Sequence, residues 1–185
     1  MTRVRGSLGA LLPTLAIATA LLAHPAYALG HHHAAPPGRP PQHAAAPVRL
    51  TRAQAKASLV SAARHHRVNP NFVLAVSYWE SGWNQAARSR TGAVGLMQIE
   101  PSTAASAGPA LLHRSVNLNN PVDNAELGAA LLRSYLDQLH DPKLVLAAYY
   151  QGLSATRHHG VYPSSRSYVD GIWRLRNRFQ AGSIP

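Results

Sequence analysis

Asn69-Pro70-Asn71-Phe72-Val73-Leu74-Ala75-Val76-Ser77-Tyr78-Trp79-Glu80-Ser81-Gly82 is the stretch on which the reading of this chain turns. Asn69 can cap a helix, and Pro70 suits its first turn, where a backbone N–H has no helical partner anyway. Phe72 to Trp79 is apolar on nearly every face, which predicts a buried helix. Gly82 can close it in the left-handed conformation. One carboxylic acid, Glu80, then falls in the last turn. Burial disfavours its charged form, and so does the partial negative charge of the helix end. Both raise its pKa, towards an acid still protonated near neutral pH, as a general acid must be. The plainer alternative is a surface Glu paired with an Arg, and this stretch alone leaves both open.

Outward from that helix the pattern stays helical. Thr51 caps a preceding helix that runs to about His66, with Ala55, Leu59, Ala62 and Ala63 at helical spacing. Its end, Arg64-His65-His66-Arg67, reads as a solvated basic terminus favourable to the helix dipole. From Gly82 to Ile99 the period is lost, and Gly92 and Gly95 allow positive φ or close backbone approach in a loop. Pro101 opens a short helix over 102–107 that Gly108-Pro109 should stop. Asn120-Pro121 starts a long one reaching about His140, and Asp141-Pro142 restarts the chain into an apolar helix over 143–150. A short piece over 154–159 and a last helix over about 166–180 complete a domain with no strand alternation and no internal repeat.

The 185 residues hold 18 Lys or Arg and 7 Asp or Glu, and all seven acids lie at or after Glu80. A chain so poor in carboxylates has few candidates for a two-acid active site. The basic balance suits an anionic partner: wall polymers, lipid head groups or nucleic acid. No basic stretch is interleaved with aromatics, so no specific nucleic-acid partner is expected. The chain has no cysteine, which excludes disulfides, lipid attachment at a cysteine and thiol metal sites.

Residues 1–28 read as a secretory signal. Arg3 and Arg5 precede an apolar segment over 8–23, and Ala26-Tyr27-Ala28 fits a cleavage site near Ala28. An uncleaved anchor is the alternative, although the segment is short for a span of about 20 residues. Residues 29–48, with His31-His32-His33 and paired prolines, form a low-complexity linker that cannot build a core. Residues 49–182 are then the folded domain, expected to be monomeric and exported to the cell envelope or beyond.

Four segments now fall in order: Glu80-Ser81-Gly82-Trp83; Gly92-Ala93-Val94-Gly95-Leu96-Met97-Gln98-Ile99; Asn120-Pro121-Val122-Asp123-Asn124; and Leu146-Ala147-Ala148-Tyr149-Tyr150-Gln151-Gly152, followed by Ser167-Tyr168-Val169. Together they resemble the soluble-lytic-transglycosylase-like catalytic domain of the lysozyme-like superfamily, from about Ala62 to Phe179. The resemblance implies a mainly α, lysozyme-like fold, within an α+β superfamily, with little or no sheet and a substrate groove across the end of the catalytic helix. It implies cleavage of the β-1,4 bond between N-acetylmuramic acid and N-acetylglucosamine in peptidoglycan, with Glu80 as sole acid and base and a 1,6-anhydro product. No metal or other cofactor is implied, because protonation and ring closure need only the acid and the substrate.

By position, the resemblance makes Ser81 a support for the helix end or a substrate contact. Met97 and Gln98 become glycan contacts, Tyr149 the tyrosine bonded to the acid, and Tyr168 a groove residue. The segment 120–124 is a helix start. Two departures stand out. The family's Ala-Tyr-Asn-Ala-Gly is here Ala148-Tyr149-Tyr150-Gln151-Gly152, so Tyr150 replaces an Asn and Gln151 could supply the amide one position later. Glu100 stands where many members are apolar, as goose-type lysozymes carry an acid after Gly-Leu-Met-Gln. It could assist a water and make the reaction hydrolytic, or simply favour the start of the next helix. Besides these two enzyme readings, a wall-binding module with a degenerate site remains open.

Overall fold

Four of the seven helices among the described residues begin on a proline, and in three of them the side chain before the proline caps the start. The computed structural model describes residues 49–182; the expected signal segment and linker lie outside them. The helices are α1 (Arg52–His65), α2 (Pro70–Ser81), α3 (Pro101–Leu112), α4 (Pro121–Leu139), α5 (Pro142–Gln151), α6 (Leu153–His159) and α7 (Arg166–Gln180), with a 3-10 turn at Pro163–Ser165. Asn69, Asn120 and Asp141 each accept two backbone N–H bonds at the starts of α2, α4 and α5. Thr51 and Gln54 close a reciprocal capping box on α1. Proline at the next position removes a donor that would otherwise be orphaned.

The α4 helix packs against α1, α3 and α5, while α2 lies between α1 and α7. Leu59, Val73, Val76, Leu127, Leu132, Val145, Leu146 and Ile172 are fully buried where these elements meet. Burying each such side chain stabilises the fold by roughly 1.5–3 kcal/mol. No strand occurs among the described residues; two isolated bridges, Arg88–Val94 and Val94–Ile99, tie the 83–100 loop. No described helix is long and apolar enough to cross a membrane.

Three details differ from expectation. The α3 helix does not stop at Gly108-Pro109 but runs on to Leu112. Ala105, whose carbonyl loses its partner to the proline, is exposed, so water can satisfy it. Gly108 is instead a close-approach site, since a Cβ there would lie 2.9 Å from Val116 Cγ2. Second, α2 is buried only from Phe72 to Ser77, and its last turn emerges with Trp79 45% exposed. Third, the end of α1 is not merely solvated: His65 and His66 both bond the Glu126 carboxylate on α4.

Candidate active site

The α2 helix ends where its side chains leave the core, and Glu80 sits at that exit, half-buried. Gly82 closes the helix at φ 63°, its N–H bonded to the Tyr78 carbonyl. Trp83 follows with φ 64° and is anchored by its ring nitrogen, which donates to the Leu74 carbonyl at 3.0 Å. This sharp return leaves Glu80 at the rim. Burial pushes its carboxyl above the ordinary range, partly offset by a hydrogen bond from Tyr168. That bond runs from the phenol to Glu80 Oε1 at 2.5 Å. None of the ion pairs among the described residues involves Glu80. Glu80 is therefore not a surface acid paired with an arginine.

Tyr168 reaches Glu80 because α7 lies close against α2. Gly171, one turn further along α7, makes room for the Trp79 indole: a Cβ at Gly171 would fall 2.2 Å from its ring. Tyr168 is buried between Trp79, edge-on at 6.3 Å, and Tyr150, stacked at 4.6 Å. Burial and the neighbouring Glu80 raise the Tyr168 pKa well above the ordinary phenol value, so it remains a donor.

The loop opposite is fastened to the same helix. Ser77 and Ser81, one turn apart on α2, both place their hydroxyls 2.8 Å from the Leu96 carbonyl. Asn124, fully buried on α4, accepts from the Met97 N–H at 2.8 Å and donates to the carbonyls of Val94 and Leu118. Gln85 adds a bond from Leu96 N and one to Leu118 O. Gly95 must be glycine, because at φ 80° a Cβ would lie 2.5 Å from Asn124 Nδ2. Gln98 follows in the left-handed region at φ 46°, its amide donating to the carbonyls of Ala87 and Gly95. A non-glycine residue held there stores strain, a feature common at functional sites.

Between α2, this loop, α4 and α5 lies an open cleft of about 520 Å³. Glu80, Gln98, Glu100, Tyr135, Tyr149 and Tyr150 line it. The cleft thus gathers five of the nine residues singled out in the sequence. Tyr168 adjoins it through Glu80 and Tyr150, and Ser81 lies behind it as a strut to Leu96.

The remaining two stand elsewhere. Met97 is fully buried against Gly128, so it presents no surface to a sugar; the apolar neighbour expected of it is a core contact. Gln151 does not line the cleft, and both ends of its amide bond backbone, to Gly160 O and Tyr162 N. Tyr149 lines the cleft but does not bond the acid: its hydroxyl donates to the Met97 carbonyl at 2.8 Å, and the bond to Glu80 comes from Tyr168. The two phenols have exchanged the expected parts because α7, not α5, approaches the carboxyl. Tyr150, where the family's Asn would be, is 57% exposed over the cleft. Glu100 is exposed at the start of α3 and makes no side-chain cap bond.

Sequence reasoning missed Gln85 and Tyr135, and it read Asn124 only as part of a helix start. A buried amide within the apolar face of α4 was the available signal, since such groups persist only when bonded. Around Glu80 there is no gathering of metal-ligating side chains among the described residues; the one such group, His65, His66 and Glu126, is outside the cleft lining.

A half-buried carboxylic acid at a helix end, facing an open groove in a helical domain, is the arrangement of a lysozyme-like protein. The transglycosylase SLT domain model matches residues 58–169, and the chain belongs to that family. It is 38% identical over 92 residues to a transglycosylase of Enterobacteria phage PRD1, covering 50% of this chain and 32% of the relative. To the endo-type membrane-bound lytic murein transglycosylase A of Klebsiella pneumoniae it is 36% identical over 104 residues, 48% of this chain and 50% of the relative. The matches thus span half or less of these relatives. Among solved structures, an inactive mutant of lytic transglycosylase Slt from Pseudomonas aeruginosa aligns with a TM-score of 0.61 at 24% identity, covering 70% of this chain and 25% of that one. The 70-kDa soluble lytic transglycosylase of Escherichia coli aligns at 0.60 and 21%, over 68% and 24%. A 70-kDa soluble lytic transglycosylase in complex with bulgecin A gives 0.62 and 21%, over 70% and 24%. At these identities the structural likeness is one of fold.

Proposed function

We propose that the protein is a peptidoglycan lytic transglycosylase of the cell envelope, with Glu80 as its only general acid and base. The observation that carries this reading is the Glu80 carboxyl: raised in pKa by burial, free of any cationic partner among the described residues, and facing an open cleft. The name of the Klebsiella relative, a murein transglycosylase, supports the substrate class. In this mechanism the acid gives its proton to the oxygen of the β-1,4 bond between N-acetylmuramic acid and N-acetylglucosamine, and the C1–O bond breaks. The sugar's own acetamide stabilises the cationic centre, so no carboxylate nucleophile is needed. The Glu80 carboxylate then takes the C6 hydroxyl proton as that oxygen closes on C1. The product is a 1,6-anhydro sugar, and the acid is restored for the next cycle.

The glycan would run along the cleft past Gln98, Tyr149 and Tyr150. The excess of Lys and Arg favours anionic wall polymers as a holding surface. A second reading has one observation behind it: Glu100 lines the same cleft with its carboxyl uncommitted to a helix cap, where it could orient a water. The product would then be hydrolytic. Digestion of purified sacculi by the full chain, followed by mass spectrometry, separates the two, since the anhydro product is lighter by one water. Equal release by wild type and Glu80→Gln would remove both and leave a binding module.

A further inference from the structure

We propose that His65, His66 and Glu126 form a zinc site that staples the end of α1 to α4. His65 Nδ1 lies 2.8 Å and His66 Nε2 2.7 Å from the same oxygen, Glu126 Oε2. The three ligand atoms all fall within 4.8 Å of one another. The rings stand 4.7 Å apart at an angle of 36°, so their nitrogens converge from two directions on one carboxylate. Two of the three ligands are well anchored: the side chains of His66 and Glu126 are each only 15% exposed, whereas that of His65 is 71% exposed and can adjust.

The donor set selects the class of ion, a borderline transition metal of which zinc is the redox-inert member. Two neutral imidazoles and one carboxylate suit zinc, which takes such ligands at about 2.0–2.2 Å in tetrahedral sites. Magnesium and calcium prefer oxygen shells. Tetrahedral ligands at those bond lengths lie about 3.3–3.5 Å apart, so the two histidine–carboxylate contacts need open by about 0.5–0.8 Å. The hollow beside the histidines, about 410 Å³, has room for water as a fourth ligand. Zinc would take the place of the ring hydrogens that now face Glu126, so each imidazole must turn a bare nitrogen to the ion.

Two of the three cations around the site are already matched. Arg133, which shares the hollow with both histidines, is bonded to Asp137, and Arg114, whose field reaches Glu126, is bonded to Asp123. Arg67 is the remaining cation at the hollow. Glu126 is therefore left to the two imidazoles. A chain with no cysteine has no disulfide to join its helices, and this site supplies a cross-link of another kind.

Thermal unfolding of the full chain in zinc sulfate, against the same chain in EDTA, tests the proposal. An ion that binds only the folded state should raise Tm by about 8 °C at a hundred times its dissociation constant. Magnesium should not reproduce the rise. The zinc-minus-EDTA difference should vanish in Glu126→Gln and shrink in His65→Ala, which keeps the His66–Glu126 bond and so should fold. It should persist when His31, His32 and His33 are all replaced by Ala, because zinc on three consecutive histidines has no reason to favour the folded chain. An unchanged Tm, a rise that survives Glu126→Gln, or a rise lost with the 31–33 replacements would each overturn the site.

Discussion

Tyr168 on α7 holds Glu80 on α2 by a single hydrogen bond of 2.5 Å, and its ring is itself pinned between Trp79 and Tyr150. The acid's orientation is thus set from a helix 88 residues away in sequence. The phenol favours the ionised carboxylate and opposes the effect of burial. Tyr168→Phe keeps the aromatic stack and deletes only that bond. The Glu80 pKa should rise further, moving the alkaline limb of the rate profile to higher pH. The loss of orientation should lower kcat at the optimum by about tenfold or more. A pH–rate profile on soluble glycan strands checks both. A limb that stays in place would show that Tyr168 supports the fold and not the acid.

Glu80→Gln should reduce activity by about 10²–10⁴-fold, the usual contribution of a positioned general acid. It also has a stability signature of known sign. A carboxyl whose folded pKa lies above its unfolded value stabilises most while protonated, below about pH 4, and loses that contribution as pH rises through the folded pKa. Glutamine is neutral throughout and loses nothing. The Tm of the variant relative to wild type should therefore climb as pH rises from about 4 through the folded pKa. Parallel melting curves across that range would contradict the burial of this group.

How much of this was legible in the sequence depended on whether a residue's partners were local. The cap Asn69, the start Pro70, the end Gly82 and the acid Glu80 all act within one helix, and their spacing placed them to the residue. The boundaries of α4 to α7 followed from prolines and apolar periods in the same way. Pro109 misled because a proline's cost depends on whether the freed carbonyl meets water, which the one-dimensional pattern does not record. Met97, Tyr149 and Gln151 were given parts by position within motifs. Their actual partners, Gly128, the Met97 carbonyl and the Gly160–Tyr162 backbone, lie at distances no local rule supplies. His65 and His66 read as a solvated end because Glu126 is 60 residues away.

Asn124 is the bracket between α4 and the loop that carries Gln98. Its amide satisfies the Met97 N–H and the carbonyls of Val94 and Leu118, all at or near the core. Asn124→Ala would leave the Met97 N–H without its partner, at about 1–3 kcal/mol, while the Ile99 N–H and the Gln85 amide still reach the Val94 and Leu118 carbonyls. A total loss of about 1–3 kcal/mol is expected in urea unfolding. Activity should fall as well, because the loop's position relative to Glu80 loosens. Wild-type stability in this variant would mean that water replaces the amide.

Gly128 gives the Met97 side chain its space. A Cβ there would lie 2.5 Å from Met97 Cγ and 2.8 Å from its Cβ, too near the backbone for a rotamer change to relieve. Gly128→Ala should cost about 1–3 kcal/mol through overpacking, despite the better helix propensity of alanine. A variant as stable as wild type by chemical denaturation would show that the loop can shift without penalty.

Gln151 and Tyr150 are neighbours with opposite expected behaviour. Both ends of the Gln151 amide are committed to the backbone that links α6 to the 3-10 turn, donating to Gly160 O at 2.7 Å and accepting from Tyr162 N at 3.1 Å. Gln151→Ala should therefore lower stability by about 1–2 kcal/mol and leave KM nearly unchanged. Tyr150 is exposed at the cleft and stacked on the phenol that holds the acid. Tyr150→Ala removes a flat surface beside the groove and one wall of the Tyr168 pocket, so KM should rise and kcat fall with only a small change in Tm. Steady-state kinetics and melting curves on the two variants check the pair. A Gln151→Ala enzyme of full stability with a raised KM would reverse the assignment and put that amide on the glycan.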